Sequence, residues 1–229
     1  MGYATRELSP ETWPDFERLF SQGNGWDSCW CMAFQADRAP RSRFRTRAEA
    51  SVVNHRDKQA RVEEGRAHGI LVYVDGGPVG WCQFGPADEL PASRDLGHPP
   101  ANMWRITCFV VMRSYRRRGL ASLALRAALD AIRRRGGRVV EATPVACWSH
   151  GRSGTSSAVE VPGVGPVAPA WGGFGNVSTP GIVSMFEREG FVGVRVLEAP
   201  SKRVNATGAL GYQVLMRRAM ESQTTDASA

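Results

Sequence analysis

The chain has 229 residues, 42% apolar and 22% charged, which is the composition of a soluble globular protein with room for one large domain or two small ones. Its net charge of +7 comes almost wholly from arginine, since Lys58 and Lys202 are the only lysines among 29 basic residues, and it favours anionic partners of any kind. The longest apolar run, residues 106–112, is too short to cross a bilayer and no apolar signal segment opens the chain, so we expect a cytoplasmic protein with no membrane partner.

The first half of the chain predicts a short strand, two helices and a β-hairpin, at residues 3–8, 9–20, 46–65 and 70–84. Ser9 and Thr46 stand where helix N-caps stand. The turn DGGP lies between two β-rich runs, which is a hairpin signal. The segment between the helices, GWDSCWCMAF, is rich in aromatic residues and cysteine.

The second half predicts strands at residues 103–112, 138–143, 191–197 and 212–217, and helices at 119–135 and 182–189. The longer helix carries leucine and alanine on one face and ends at Gly136. Residues 144–180 are rich in Gly, Pro and Ser, and their embedded aromatic residues favour an ordered lid over a linker. We expect a single domain at residues 1–218 that includes this lid or insertion, and a disordered tail at 219–229.

Five cysteines are an odd number in a chain too large to need disulfides, so we expect reduced thiols. Cys29 and Cys31 flank Trp30, but no second pair of cysteines or histidines completes a ligand set, and we predict no metal. Cys108 lies in the central predicted strand, where burial explains it better than a nucleophilic role.

The stretch RSYRRRGLAS, residues 113–122, joins an apolar strand to a long helix. The first amide groups of a helix have no partner within it, and the helix dipole adds positive potential there. Gly119 and Ala121 leave room for an anion to reach those amides, and Ser122 could add a hydroxyl donor. The tripeptide RRG alone fits a solvated basic turn better, but the preceding strand, the helix length and the small residues favour a phosphate site.

The segment RRRGLA, residues 116–121, resembles the Q/R-x-x-G-x-G/A signature of the GNAT superfamily of acyl-CoA N-acyltransferases. The segment SMFEREGF, residues 184–191, resembles the LYxxxGF helix end of the same superfamily, and the order of elements from residue 3 to 218 also fits. The resemblance implies an α/β (α+β) fold. Its central sheet would be mixed, mostly antiparallel, flanked by helices and splayed between the fourth and fifth strands.

The resemblance also implies acetyl-CoA as co-substrate, held in the splay, and an amine that attacks the thioester directly. The pyrophosphate would rest on the amides that open the long helix, and the pantetheine arm would pair with the central strand. The implied contacts of acetyl-CoA are Phe109, Val110, Val111, Arg116, Arg117, Arg118, Gly119, Leu120, Ala121, Ser122, Thr179 and Phe186.

An attacking amine must lose a proton to a base. Glu141, in VVEATPV, matches the strand-five glutamate that some family members use for this, and partial desolvation in the splay would suit the role. A glutamate that is hydrogen-bonded to the following loop for structural reasons explains the residue equally well.

Two positions depart from the family pattern. Phe186 stands where many relatives have the tyrosine that protonates the leaving thiolate, so Ser184, Tyr212, a lid residue or water would have to replace it. Thr179 stands near where relatives often have an asparagine that contacts CoA. The general acid is therefore left open.

We predict that the acceptor is bound by residues of the aromatic segment, the hairpin and the lid, namely Trp26, Trp30, Gln83, Trp148 and Trp171. These tryptophans fit equally well as core or loop anchors. A non-catalytic nucleic-acid-binding protein and an acetyltransferase acting on charged tRNA are the alternative functions. The arginines are scattered without a stripe of stacking aromatics, so we do not expect nucleic acid as a partner. The identity of the amine and a homodimer stay open.

Overall fold

A computed structural model describes residues 2–22, 26–35, 44–90, 99–144, 159–167, 181–197 and 213–220. The helices are α1 (Trp13–Phe20), α2 (Arg47–Glu63), α3 (Leu120–Arg134) and α4 (Val183–Glu187), with 3-10 turns at Pro10–Thr12 and Arg113–Tyr115. The strands are β1 (Tyr3–Glu7), β2 (His68–Val74), β3 (Gly77–Pro86), β4 (Met103–Val111), β5 (Val139–Ala142), β6 (Val159–Val161), β7 (Gly165–Val167), β8 (Val192–Leu197) and β9 (Gln213–Ala219).

Seven strands form one sheet in the order β1-β2-β3-β4-β5-β9-β8, while β6 and β7 form a separate hairpin. Neighbouring strands of the large sheet are antiparallel except β4 and β5, which run parallel. Parallel strands need a crossover connection, and α3 supplies it here. The predicted fold class, a mixed and mostly antiparallel sheet flanked by helices, is confirmed.

Local chemistry explains where the elements begin and end. The Thr46 hydroxyl accepts a hydrogen bond from the Glu49 amide at 3.1 Å, so the predicted cap of α2 is confirmed. Asp75 and Gly76 both have positive φ, 46° and 83°, as the tight β2–β3 turn requires. Gly136, with φ of 74°, follows the last turn of α3.

The two faces of the sheet bury separate clusters. On one face, α3 contributes the fully buried Leu125 and Ile132 to a cluster with Phe84 of β3. On the other face, Phe16 and Phe20 of α1 pack against Trp81, with ring centroids 4.7 and 6.3 Å apart. Each such buried side chain stabilises the fold by roughly 1.5–3 kcal/mol relative to an exposed one.

The sheet opens between β4 and β5. These strands pair only from Met103↔Val139 to Ile106↔Ala142, although β4 continues to Val111. Across β4, the pairing with β3 skips Thr107, which makes a bulge at the same level. The last five residues of β4 therefore have an edge with no β5 partner among the described strands.

Two details differ from the sequence-based expectation. The β6–β7 hairpin lies inside residues 144–180, where the composition predicted a lid without strands. Strand β9 runs to Ala219 and Met220 is buried, so ordered structure extends past the predicted domain end at residue 218. Most of the expected lid, residues 145–158 and 168–180, and the tail from residue 221 lie outside the described residues.

Candidate functional site

A cavity of about 350 Å³ lies where the open edge of β4 meets the first turn of α3. Its third wall is the chain at and around α4, through Gly181, Ile182 and Met185. The predicted cofactor residues that the structure brings together here are Phe109, Val111, Arg116, Arg117, Gly119, Leu120, Ala121 and Ser122. The cavity therefore joins the splay of the sheet to the helix terminus that the arginine stretch precedes.

Helix α3 points its N-terminus into this cavity. Its first helical hydrogen bond runs from the Leu123 amide to the Gly119 carbonyl, so the amides of Leu120, Ala121 and Ser122 have no acceptor within the helix. Gly119 has a φ of 78°, and no atom lies within 4 Å of where its Cβ would stand. The left-handed backbone favours glycine there, and because Gly119 lines the cavity, a side chain added at this position would stand beside the cavity with no protein atom against its Cβ.

The turn before α3 adds further positive potential. Arg117 has a φ of 60°, a left-handed conformation that costs a non-glycine residue on the order of 1–3 kcal/mol. Arg116 donates from Nε to the Val111 carbonyl at 3.1 Å, which ties the turn to the end of β4.

The arginines of the stretch do not all behave alike. Arg116 and Arg117 line the cavity, whereas Arg118 lies with its guanidinium carbon 5.3 Å from the ring centroid of Tyr115. On the opposite wall, Arg188 follows α4 and also lines the cavity. Tyr115 and Arg188 were missed by sequence reasoning; Tyr115 lies inside the quoted stretch, while Arg188 gave no signal beyond its position in SMFEREGF.

Phe186 lies beside the cavity rather than in it. Its side chain is fully buried, with ring centroids 6.0 Å from Phe109 and 5.0 Å from Phe191, both in edge-on arrangements. It therefore supports the α4 wall by packing. Val110 faces the other cluster, with Trp81 and Cys108, so its side chain is also directed away from the cavity.

Glu141 is fully buried and both its carboxylate oxygens are engaged. Arg105 donates from Nε to Oε2 at 3.0 Å, and Arg217 donates from Nε to Oε1 at 2.9 Å, with its Nη2 also 2.9 Å from Oε1. The structural role expected for Glu141 is a hydrogen bond to the loop. Its partners here are instead the guanidinium groups of two neighbouring strands. The base role of Glu141 stays a prediction, and the geometry favours a structural one.

The predicted acceptor residues are dispersed. Trp26 lines the cavity and is 5% exposed. Trp30 stacks on Phe20 in the core, with centroids 5.8 Å apart. Gln83 is fully buried; it donates to the Cys31 carbonyl at 2.9 Å and accepts from the Thr107 hydroxyl at 3.1 Å. Trp148, Trp171 and Thr179 lie outside the described residues.

The cysteine-rich segment packs beneath the sheet. The Cys31 thiol lies 3.2 Å from that of Cys108, and burial raises the pKa of Cys31 well above its ordinary value. Cys108 is 3% exposed, in line with the burial expected for it. Within the described ranges, no three side chains of His, Cys, Asp or Glu are close enough together to hold a metal ion.

Comparison with known proteins places this geometry in a family. Residues 11–150 match the family model of the Acetyltransferase (GNAT) family. No curated protein matches the sequence. None of the described helices combines the length and apolar character needed to cross a membrane.

Solved structures resemble the chain over nearly its whole length. An N-acetyltransferase from Staphylococcus aureus Mu50 is 12% identical, with a TM-score of 0.52 and coverage of 96% of this chain and 100% of that one. A GCN5-related N-acetyltransferase from Kribbella flavida is 16% identical, with a TM-score of 0.51 and coverage of 95% and 98%. A ribosomal-protein-alanine N-acetyltransferase from Brucella melitensis is 13% identical, with a TM-score of 0.51 and coverage of 95% and 99%. At these identities the likeness concerns the fold alone.

Proposed function

The chain belongs to the GNAT family of acetyltransferases, and we propose that it transfers the acetyl group of acetyl-CoA to a primary amine by direct attack. The observation that carries the proposal is the cavity itself, which connects the open edge of β4 to the N-terminus of α3. One end offers strand-like backbone groups and the other offers free amides and arginines. A ligand with an amide-containing arm and a phosphorylated end fits both.

The anionic end would be bound from three directions. The amides of Leu120, Ala121 and Ser122 present hydrogen-bond donors at the positive end of α3. Arg116 and Arg117 supply positive charge from the turn before α3. Arg188 supplies it from the α4 wall of the cavity. A cavity with donors on opposite sides favours a compact anion such as a pyrophosphate over an extended nucleic-acid backbone.

The amide-containing arm would lie along β4. Residues 107–111 have no β5 partner among the described strands, so their free edge can accept a strand-like pairing. The apolar side chains of Phe109 and Met185 line the same space. In this position the thioester would lie in the splay, beside the bulge at Thr107.

The reaction forms a C–N bond and breaks the C–S bond of the thioester. The amine lone pair attacks the carbonyl carbon, a base takes the proton that the nitrogen loses, and the thiolate leaves as CoA. The family pattern predicts Glu141 as this base, but its carboxylate is fully buried with both oxygens engaged by guanidinium groups, so the proposal assigns the proton to no residue. Phe186 has no proton to donate, so protonation of the thiolate falls to another group or to water.

The cofactor site is tested by Gly119→Glu. The new side chain would enter the cavity with a negative charge, and we expect acetyl-CoA binding to be lost in calorimetric titration. Gly136→Glu is the matched control, because Gly136 also has positive φ and open space around its Cβ but lies at the far end of α3. Both variants add the same charged side chain at a glycine with positive φ, but only Gly119 lines the cavity.

If Gly119→Glu binds acetyl-CoA as the wild type does, the placement of the site is wrong. If both variants lose binding, strain and not the site explains the loss.

The acceptor is a primary amine, and three classes of amine are candidates. The Brucella neighbour is named for acetylating the alanine of a ribosomal protein, which makes a protein N-terminal amine one class to assay. Small primary amines and amine-bearing antibiotics are the others. Release of free CoA thiol, followed with a thiol reagent, reports turnover for every class in the same units.

A further inference from the structure

We propose that Glu141 is a positioning residue that, together with Arg105 and Arg217, sets the point at which the sheet opens. This set of three side chains is called the charged clamp below. The proposal rests on the proposed function for its effect on acetyl-CoA, but its structural claim concerns β4 alone. It replaces a proton-transfer role for Glu141 by a role exerted through the β4 backbone.

The charged clamp crosses three strands in a straight line. Arg105 of β4 is the register partner of Glu141 of β5, and Glu141 is in turn the register partner of Arg217 of β9. Directly opposite charges on one face of a sheet stabilise that pairing. Here the contacts are charge-assisted and close, at 3.0 Å to Arg105 and 2.9 Å to Arg217.

The clamp lies one residue pair before the strands separate. One pair follows it, Ile106↔Ala142, after which β4 has no β5 partner among the described residues. The bulge at Thr107 comes next, and Phe109, which lines the cavity, is two residues further along. Any change in where β4 and β5 part is therefore passed directly to the edge on which the cofactor arm would lie.

Burial makes the clamp sensitive to the loss of one charge. The side chains of Arg105 and Glu141 are 4% and 0% exposed, whereas that of Arg217 is 42% exposed and can turn toward water. Arg105 Nη1 donates to the Ala87 carbonyl at 3.2 Å, and its Nη2 is buried without a hydrogen-bond partner in the described part of the chain. Without the Glu141 charge, Arg105 would be a buried cation with no counter-charge in the clamp.

The same contacts argue against proton transfer by Glu141. A general base needs a lone pair within reach of the proton that it removes. Both oxygens of Glu141 accept guanidinium N–H groups, its side chain is fully buried, and Glu141 is not among the residues that line the cavity, so no lone pair of it is presented to a bound amine. A positioning role therefore accounts for the burial of Glu141, for its two arginine partners and for its place next to the opening of the sheet.

The first test needs no ligand. In Glu141→Gln, the amide N–H₂ would face a guanidinium, and we expect the β4–β5 pairing to loosen. Amide hydrogen exchange, read by mass spectrometry on the apoprotein, should accelerate by about tenfold or more in peptides covering residues 103–111. Peptides covering β2 and β3 serve as the internal control and should exchange at the wild-type rate.

The second test separates positioning from proton transfer. We expect Glu141→Gln to raise the KM for acetyl-CoA by about tenfold or more while kcat stays within about threefold and its pH profile keeps its shape. Loss of a base would instead lower kcat by about 100-fold or more at unchanged KM and remove a limb of the pH profile. That result would overturn the proposal.

A rescue variant separates positioning from overall stability. Arg105→Met/Glu141→Leu replaces the buried pair by apolar side chains, which often restores stability. We expect its melting temperature to return to within a few degrees of wild type while fast exchange in β4 and the raised KM persist. Recovery of all three would mean that the clamp acts through stability only. If hydrogen exchange in Glu141→Gln equals that of the wild type, the clamp proposal is wrong whether or not acetyl-CoA binds. The proposed function is tested by a different measurement, acetyl-CoA binding to the wild-type protein.

Discussion

Lys58 is a cation held in the hydrophobic core. Its side chain is fully buried, its Nζ donates to Gln35 Oε1, and it lies 5.9 Å from the ring centroids of both Phe16 and Trp81. Burial lowers the pKa of Lys58 from 10.5 to about 8, against an opposing influence of the nearby thiols. The aromatic faces and one amide oxygen offset only part of the cost of removing an ammonium from water.

This lowered pKa makes stability depend on pH. Between pH 8 and 10.5 the unfolded chain holds a proton that the folded chain has released, so the free energy of unfolding rises with pH through this range. For the contribution of Lys58, we expect a rise of about 1 kcal/mol between pH 7 and 9. The measurement is denaturant unfolding of the wild type and Lys58→Met at both pH values.

Other buried groups titrate in the same alkaline range. Burial raises the pKa of Cys31 and of Tyr73, the latter to about 12, so their contributions to stability fall at alkaline pH and oppose that of Lys58. Both remain in Lys58→Met. The free energy of unfolding of Lys58→Met minus that of the wild type should therefore fall as pH rises. If this quantity stays constant, Lys58 keeps its ordinary pKa.

At the scale of whole elements, the β6–β7 hairpin is attached to β8 by a close glycine contact. The Gly193 amide donates to the Pro162 carbonyl at 2.7 Å. A Cβ on Gly193 would lie 2.7 Å from side-chain atoms of Val161 and Val164, and one on Gly163 would lie 2.3 Å from the Gly193 carbonyl. The hairpin can approach β8 this closely only because both positions lack side chains.

Gly193→Val should therefore detach the hairpin. The added atoms have no room, and overpacking of this kind costs about 1–3 kcal/mol. We expect a lower melting temperature and faster proteolysis within residues 159–167. Val194→Ala is the control, since Val194 is a half-exposed neighbour on the same strand and should leave proteolysis unchanged. Wild-type proteolysis in Gly193→Val would mean that the hairpin does not depend on this contact.

The elements that the sequence predicted correctly are those with local signals. The cap at Thr46, the DGGP turn and Gly119 each impose their geometry on adjacent residues, and all three elements begin or turn where expected. The β6–β7 strands have three residues each, too short for an alternating pattern, and depend on β8 for their place.

The site residues likewise divide into those with local sequence signals and those that depend on contacts distant in sequence. The cavity wall at residues 116–122 is contiguous in sequence, so its residues could be named in advance. The partners of Glu141 could not, because Arg105 and Arg217 are 36 and 76 residues away and become neighbours only through strand order. Arg105 also lies within a mostly apolar predicted strand, whose residue pattern does not indicate a partner for its charge.

At the scale of the whole molecule, the net charge of +7 and the cavity lead to different expectations. Charge alone would attract any polyanion, including tRNA, whereas the proposed function has the cavity bind one anionic ligand, acetyl-CoA. A ligand that binds only the folded state stabilises it by about 2.7 kcal/mol at a hundredfold excess over Kd. We expect acetyl-CoA to raise the melting temperature by several degrees, and excess tRNA to leave that shift in place.

Either of two results would contradict this expectation. No shift with acetyl-CoA but one with tRNA would mean that the arginines serve nucleic acid. A shift that tRNA removes would mean that the two ligands compete for one surface, as an acetyltransferase acting on charged tRNA would require.

The burial of Lys58 also affects how far the chain itself can be acetylated by acetyl-CoA, its proposed donor. Thioesters acetylate exposed lysines without a catalyst, and most proteins carry many. Here one of two lysine side chains is sealed in the core, so acetyl-CoA can modify at most Lys202 among them while the fold is intact. Self-acetylation should accordingly add little background to a turnover assay, and acetyl-lysine at Lys58 would report a molecule that had unfolded.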